Sequence, residues 1–391
     1  MWRASASAGK TCRSSSIPAH LIYKTSSFQT SSAEFELNYL VGSVSGTIGF
    51  ESVTFGSYQV TSQVFALANQ THNLDLSSSE YSGILGLSFP LAASIASNTG
   101  KTLLENLFSY FDDSHRFFAF KLGRELDDSS FTLGQLDPAI GNSTEDFTYT
   151  AVYPGRNSVP DYWKLPLRSI TLNSTTLFTS LAPSRVHDST TPIAVLDTGT
   201  SFILGPSSDV DALWNAVGAT RKTDAGQWQV RCNRAVTIGF VLGDHESMKE
   251  YPVDPADINL QGVDPEGWCI AGIQPSNKIN SGDWILGDAF LRNVYVVHHG
   301  STAQRPPLIG LLTMTEPTSA LQRFQRERGS DSEAPIEGHS IDAHHEKHPK
   351  LSSGAICGII ATGAFLVGGS GTLLFQIYKS YRRREGKETT P

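Results

Sequence analysis

Ala194-Val195-Leu196-Asp197-Thr198-Gly199-Thr200-Ser201 joins a short apolar run, the pattern of a buried strand, to a polar turn. Asp suits such a turn because its carboxylate bonds to backbone two residues on, and Gly because it accepts unusual backbone angles. Read alone, Asp-Thr-Gly is therefore an ordinary turn. Outward from it, apolar runs alternate with Gly, Ser, Asn and Asp clusters, as in Phe117-Phe118-Ala119-Phe120-Lys121-Leu122-Gly123, Val236-Thr237-Ile238-Gly239-Phe240-Val241 and Pro307-Leu308-Ile309-Gly310-Leu311-Leu312. This is β patterning. Helical signals are few and short, the best being 102–111 and 208–214, the second with Ser208 as its capping residue. A chain of 391 residues exceeds one typical domain and has ample core. Charged residues are 17% of the chain, below the usual quarter, which suits a β-rich protein working outside the cytosol. A net charge of −8 argues against a nucleic-acid partner.

Four further stretches give the turn its meaning. Downstream lies Trp284-Ile285-Leu286-Gly287-Asp288-Ala289-Phe290-Leu291-Arg292, in which Gly287 reads as a position of close backbone packing. Upstream lie Ser82-Gly83-Ile84-Leu85-Gly86-Leu87, Tyr39-Leu40-Val41-Gly42-Ser43 and Gly46-Thr47-Ile48-Gly49-Phe50. In order and spacing these resemble the catalytic loop, the two psi-loops and the flap hairpin of the pepsin-like aspartic proteases, peptidase family A1, over residues from about 20 to 313. The resemblance is to a membrane-anchored, fungal-type member that is truncated at its N-terminus. It implies a mainly β, bilobal acid-protease fold. The expected organisation is an incomplete N-terminal lobe with the flap at 1–148, a C-terminal lobe with Asp-Thr-Gly at 149–315, and a polar, disordered stalk at 316–350. A transmembrane helix at 354–378 and a basic cytoplasmic tail at 379–391 follow.

The resemblance also assigns roles. Asp197 would be a catalytic carboxylate, supported by Thr198, Gly199 and Thr200, with Thr198 bracing the catalytic loops and the Thr200 hydroxyl bonding the outer Asp197 oxygen. Tyr39, Gly42 and Ser43 would belong to the flap that closes over a peptide or protein substrate; the alternative for Tyr39 is a half-buried strand aromatic. Cys232 and Cys269 would form the bridge often seen in this lobe, whose loop closure is worth about 4 kcal/mol at most; two buried free thiols are the alternative. No Cys-x-x-Cys pair is present, and neither a metal nor a cofactor is called for.

The chain departs from the pattern in a chemically decisive place. In the family the first Asp-Thr/Ser-Gly lies roughly forty residues before the flap tyrosine. Residues 1–74 contain no aspartate, and only 38 residues precede Tyr39. The expectation is a chain that begins one segment late and is inactive as written. A lone Asp197 is then expected to be an ordinary ionised acid, because two neighbouring carboxylates are needed to share a proton and hold the attacking water. Cys12 agrees, since its nearest cysteine is Cys232 in the other lobe. Glu34 and Glu36 sit in a strand leading to the flap and are no replacement. Alternatives are a catalytically dead homologue that binds peptides or a protein partner, and a homodimer supplying Asp197 twice; a monomer is favoured. Leu40-Val41 and Ser82 also differ from the family's usual residues, as does Val296-Val297-His298-His299-Gly300, whose plain reading is loop divergence.

Residues 354–378 carry no charged side chain, long enough to span a bilayer, and Lys379, Arg382, Arg383 and Arg384 follow. The positive-inside rule makes this a single-pass type I arrangement, with the lobes extracellular or lumenal. A lipid-anchor signal is the competing reading, but the basic extension to Pro391 opposes it. No apolar signal segment is evident in Met1 to Lys10. Asn69, Asn142 and Asn173 open Asn-x-Ser/Thr sequons and are glycosylation candidates. His339, His344, His345 and His348 fall in the stalk, read as a solvated linker before a metal or pH site.

Overall fold

The computed structural model describes residues 28–39, 43–72, 84–95, 97–124, 128–141, 143–176, 181–260 and 266–330. The membrane-span and tail expectations, Gly42, Asn142, Cys12 and the stalk histidines lie outside the described residues. Among those described, no helix is long and apolar enough to cross a membrane.

The described residues divide into two compact units, one within Met1–Asp112 together with Val159–Tyr162, the other within Asp113–Ser158 and Trp163–Lys350. In the first, β1 (Gln29–Asn38), β2 (Ser43–Phe55) and β3 (Tyr58–His72) form an antiparallel three-stranded sheet. Glu34 and Glu36 point outward from it, while Phe35, Val44, Ile48 and Val64 bury one face. Helix α1 (Leu103–Phe108) starts at Thr102, whose side chain and that of Glu105 cap each other's backbone.

The second unit holds β4 (Phe117–Lys121), β5 (Ser130–Leu133), β6 (Thr148–Ala151), β7 (Lys164–Leu172), β8 (Thr175–Thr176), β9 (Ile193–Leu196) and β10 (Ile203–Gly205). After them come β11 (Thr220–Lys222), β12 (Trp228–Arg231), β13 (Ile238–Leu242), β14 (Lys249–Val253), β15 (Asn259–Leu260) and β16 (Trp268–Ala271). The last strands are β17 (Ile273–Pro275), β18 (Trp284–Leu286), β19 (Val294–His299) and β20 (Leu308–Thr313). The main sheet runs β14-β13-β7-β9-β18-β10-β17, with β8 on β7; β11-β12-β16-β15 and β5-β4-β19-β20-β6 are two further sheets. Strand β18 is parallel to β9 and antiparallel to β10. Buried on both faces, these strands read as continuous apolar runs and not as alternation.

Helix α2 (Ser207–Val217) starts one residue before the predicted cap: Pro206 occupies the cap position, and Ser208 lies inside the first turn, its hydroxyl directed to Asp209. Pro206 fixes the entry angle without a side-chain acceptor, so sequence logic favoured the wrong residue. Short helices α3 (Pro255–Ile258) and α4 (Asp288–Leu291) precede α5 (Pro317–Arg328).

Helix α5 corrects the disordered-stalk expectation at its start. Glu316 accepts from the Thr318 and Ser319 amides, Pro317 opens the helix, and Ala320 and Phe324 are buried. Arg323 pairs with the buried Asp254, and Arg328 donates to the Asn259 carbonyl at 2.7 Å. Asp254 and Asp257 also meet Arg124, which grips Asp257 through two bonds of 2.9 and 2.7 Å. Arg323 and Arg328, expected as charges of a solvated linker, are therefore spent on partners in the lobe.

Candidate active site

Strand β9 is wholly buried and delivers Asp197 at its end. The Asp197 amide donates to the Leu286 carbonyl at 3.1 Å, extending the pairing of β9 with β18 by one residue. The chain then turns, with the Thr200 amide donating back to the Asp197 carbonyl at 3.3 Å. Within that turn the Gly199 amide donates to Asp197 Oδ1 at 2.8 Å, and the Thr200 hydroxyl to Oδ2 at 2.7 Å. Both carboxylate oxygens are thus held by their own loop. Thr200 is buried and Thr198 is exposed.

Gly287 closes the turn from below. A Cβ there would lie 2.1 Å from the Thr200 carbonyl oxygen and 2.4 Å from that of Phe202, so only glycine fits. Immediately after it, the amides of Asp288 and Ala289 donate to the carbonyls of Thr200 and Ser201 at 2.7 and 3.0 Å. The close-packing role predicted for Gly287 is what these distances show.

Burial raises the Asp197 carboxyl above the ordinary aspartate range, against the opposing bonds from Thr200 and Gly199. This corrects the expectation of an ordinary ionised acid: loss of solvation acts on Asp197 without a second carboxylate from a sister loop. A second carboxyl, with no role expected from the sequence, follows Gly287 directly. Asp288 is pushed up to about 7, first by burial, with Arg292 lowering it and the charge of Asp197 raising it. Its signal in the sequence was its place directly after Gly287, but nothing linear shows that it is buried and feels the charge of Asp197.

Tyr39 lies just past β1, in the apolar cluster with Phe35, Val44, Ile48 and Val64; burial raises its phenol to about 12. Ser43 opens β2 opposite Asn38 and His72. Cys232 and Cys269 are joined by a disulfide, with Cα atoms 4.9 Å apart, which resolves the choice against free thiols. Asn69 and Asn173 are exposed, the latter accepting from the Thr237 amide at 3.1 Å. Among the described residues, no group of three or more metal-ligating side chains stands together.

The eukaryotic aspartyl protease family model matches residues 1–305. The chain belongs to this pepsin-like family. Similar relatives include chymosin from Callithrix jacchus, 29% identical over 274 residues, covering 70% of this chain and 65% of that protein. Chymosin from Bos taurus is 28% identical over 289 residues, 73% of this chain and 69% of the relative. Pepsin A from Sus scrofa is 29% identical over 276 residues, 70% and 66% respectively. The chain thus spans about two thirds of the length of these aspartyl proteases, from 65% to 69%.

Proposed function

We propose that the protein is an aspartic endopeptidase in which Asp197 is one of two catalytic carboxylates. The observation that carries this reading is the grip on Asp197: Gly199 and Thr200 fix one oxygen each while Gly287 packs under the loop. In such a site one carboxylate takes a proton from water as it attacks the scissile carbonyl, and the other, protonated, stabilises the developing oxyanion; each contributes about 10²- to 10⁴-fold in rate. The raised Asp197 carboxyl favours a shared proton. Thr198 would brace the loop, and Tyr39, Gly42 and Ser43 would close over an extended peptide.

Residues 1–74 supply no aspartate, so turnover requires a carboxylate from elsewhere. The same observation favours a second reading, a pepsin-like binding protein that takes up peptides without cutting them. The 391-residue chain is expected to show no cleavage alone, and acid-optimal, pepstatin-sensitive cleavage once an upstream segment bearing Asp-Thr-Gly is supplied. Asp197→Asn should abolish that activity. No turnover in the completed protein, with peptide still bound, would establish the binding reading instead.

The uncharged run 354–378 followed by Lys379 and Arg382 to Arg384 supports type I membrane anchoring. With the lobes on the extracellular or lumenal side, Asn69 and Asn173 are accessible to glycosylation, and a monomer suffices for the site once an upstream segment supplies the second carboxylate.

A further inference from the structure

Strand β19 ends in two adjacent histidines, which the strand's alternation directs to opposite faces of the five-stranded sheet. Both are buried, at 2% exposure for His298 and 5% for His299. The His298 ring stacks on Phe118, with centroids 4.5 Å apart and planes 5° from parallel, and lies beside Phe120 at 5.3 Å. Trp163 stands edge-on to it at 4.7 Å, and its Nδ1 has no hydrogen-bond partner. His299 lies against Phe117 and Tyr149, with Nδ1 3.3 Å from an Arg305 nitrogen. The ionisable groups on the surrounding elements are Lys121 on β4, Arg116 before it, Tyr149 on β6, Lys164 on β7, Tyr295 on β19 itself and Arg305. Strands β4, β5, β6 and β20 contain no carboxylate, so nothing on them is suited to receive an imidazolium.

Trp163 ties this cluster to the catalytic loop. Its carbonyl accepts from the Leu196 amide at 2.9 Å, one residue before Asp197. We propose that His298 and His299 are an acid-sensing pair built into the sheet, and that protonating them loosens the strand that presents Asp197. Neither the geometry nor its test depends on peptide cleavage.

Burial is the main reason that His298 is pushed down from 6.5 to about 3, with His299 adding to it; burial and then Arg305 push His299 down to about 4. The unfolded chain takes up these two protons near pH 6.5 and the folded one does not. Stability is therefore full above that pH and is lost progressively as pH falls toward 4 and 3.

The test is the pH slope of the unfolding constant of the full chain in detergent, measured by denaturant titration between pH 4.5 and 5.5. Each histidine is expected to contribute about one proton, a tenfold change in the constant per pH unit. His298→Phe should reduce the slope by about that factor; an unchanged slope overturns the proposal. Comparing variant with wild type cancels Asp288, which titrates in the same range with opposite sign. If the variant fails to fold, the wild-type imidazole resonances decide: two that stay fixed from pH 8 to 5 support the pair, and titration of all near 6.5 overturns it. Amide protection at Leu196 should fall over the same interval in wild type but not in a folded His298→Phe; equal behaviour overturns the link to Asp197.

Discussion

Two segments of nearly the same sequence meet opposite fates. Ile285-Leu286-Gly287 is buried in the second unit, with β9 on one side of its strand and β10 on the other. Ile84-Leu85-Gly86 belongs to no strand, Ile84 is 53% exposed, and a Cβ on Gly86 would meet nothing within 4 Å among the described residues. An apolar pair and a glycine therefore do not make a psi-loop site by themselves. What makes one is the adjacent strand whose carbonyls crowd the glycine, here the turn after β9.

Gly287→Ala strikes that difference hardest. Its methyl would overlap two carbonyl oxygens, those of Thr200 and Phe202, and the first cannot move without breaking the hydrogen bond it accepts from the Asp288 amide. The expected loss is about 3 kcal/mol, at the upper end for overpacking. Chemical denaturation measures it, and a loss under 1 kcal/mol would mean that the turn is not held as tightly as the geometry states.

A smaller effect comes from the carboxyl that follows the same glycine. Because Asp288 is raised to about 7, the folded protein holds a proton there that the unfolded chain, at 3.8, has released. Its contribution to stability is present below 3.8 and is lost as pH rises to about 7. Asp288→Asn should thus stabilise the fold at pH 7.5 by on the order of 1–2 kcal/mol and have little effect at pH 3.5. Equal effects at both pH values would place Asp288 in contact with water, and the closed character of the Ile285-Leu286-Gly287 segment would fail with it.

This contrast also marks how far the sequence can be read. Asp197, its Gly199 and Thr200 partners and the packing of Gly287 were legible because each depends on bonds spanning a few residues or on a motif that fixes its own geometry. The bridge between Cys232 and Cys269 was legible only through the family resemblance, since the two cysteines by themselves left free thiols open. The protonation of Asp288 was not legible, since it arises from burial and from charges brought together by folding. Nor was the docking of α5, whose Arg323 finds Asp254 69 residues away and whose apolar face rests on little more than Ala320 and Phe324. The histidines of β19 looked like loop divergence because strand pairing with β4, more than 170 residues upstream, is what buries them.

The smallest predicted change tests the open member of the comparison. Gly86 has free space at its Cβ position and no left-handed backbone angle, so alanine fits without strain. The substitution restricts the unfolded chain more than the folded one, and Gly86→Ala should stabilise the first unit by about 0.5 kcal/mol. The sign matters more than the size. A destabilisation above 1 kcal/mol would show that other parts of the chain crowd Gly86 as Thr200 and Phe202 crowd Gly287, and the two segments would then be equivalent sites after all.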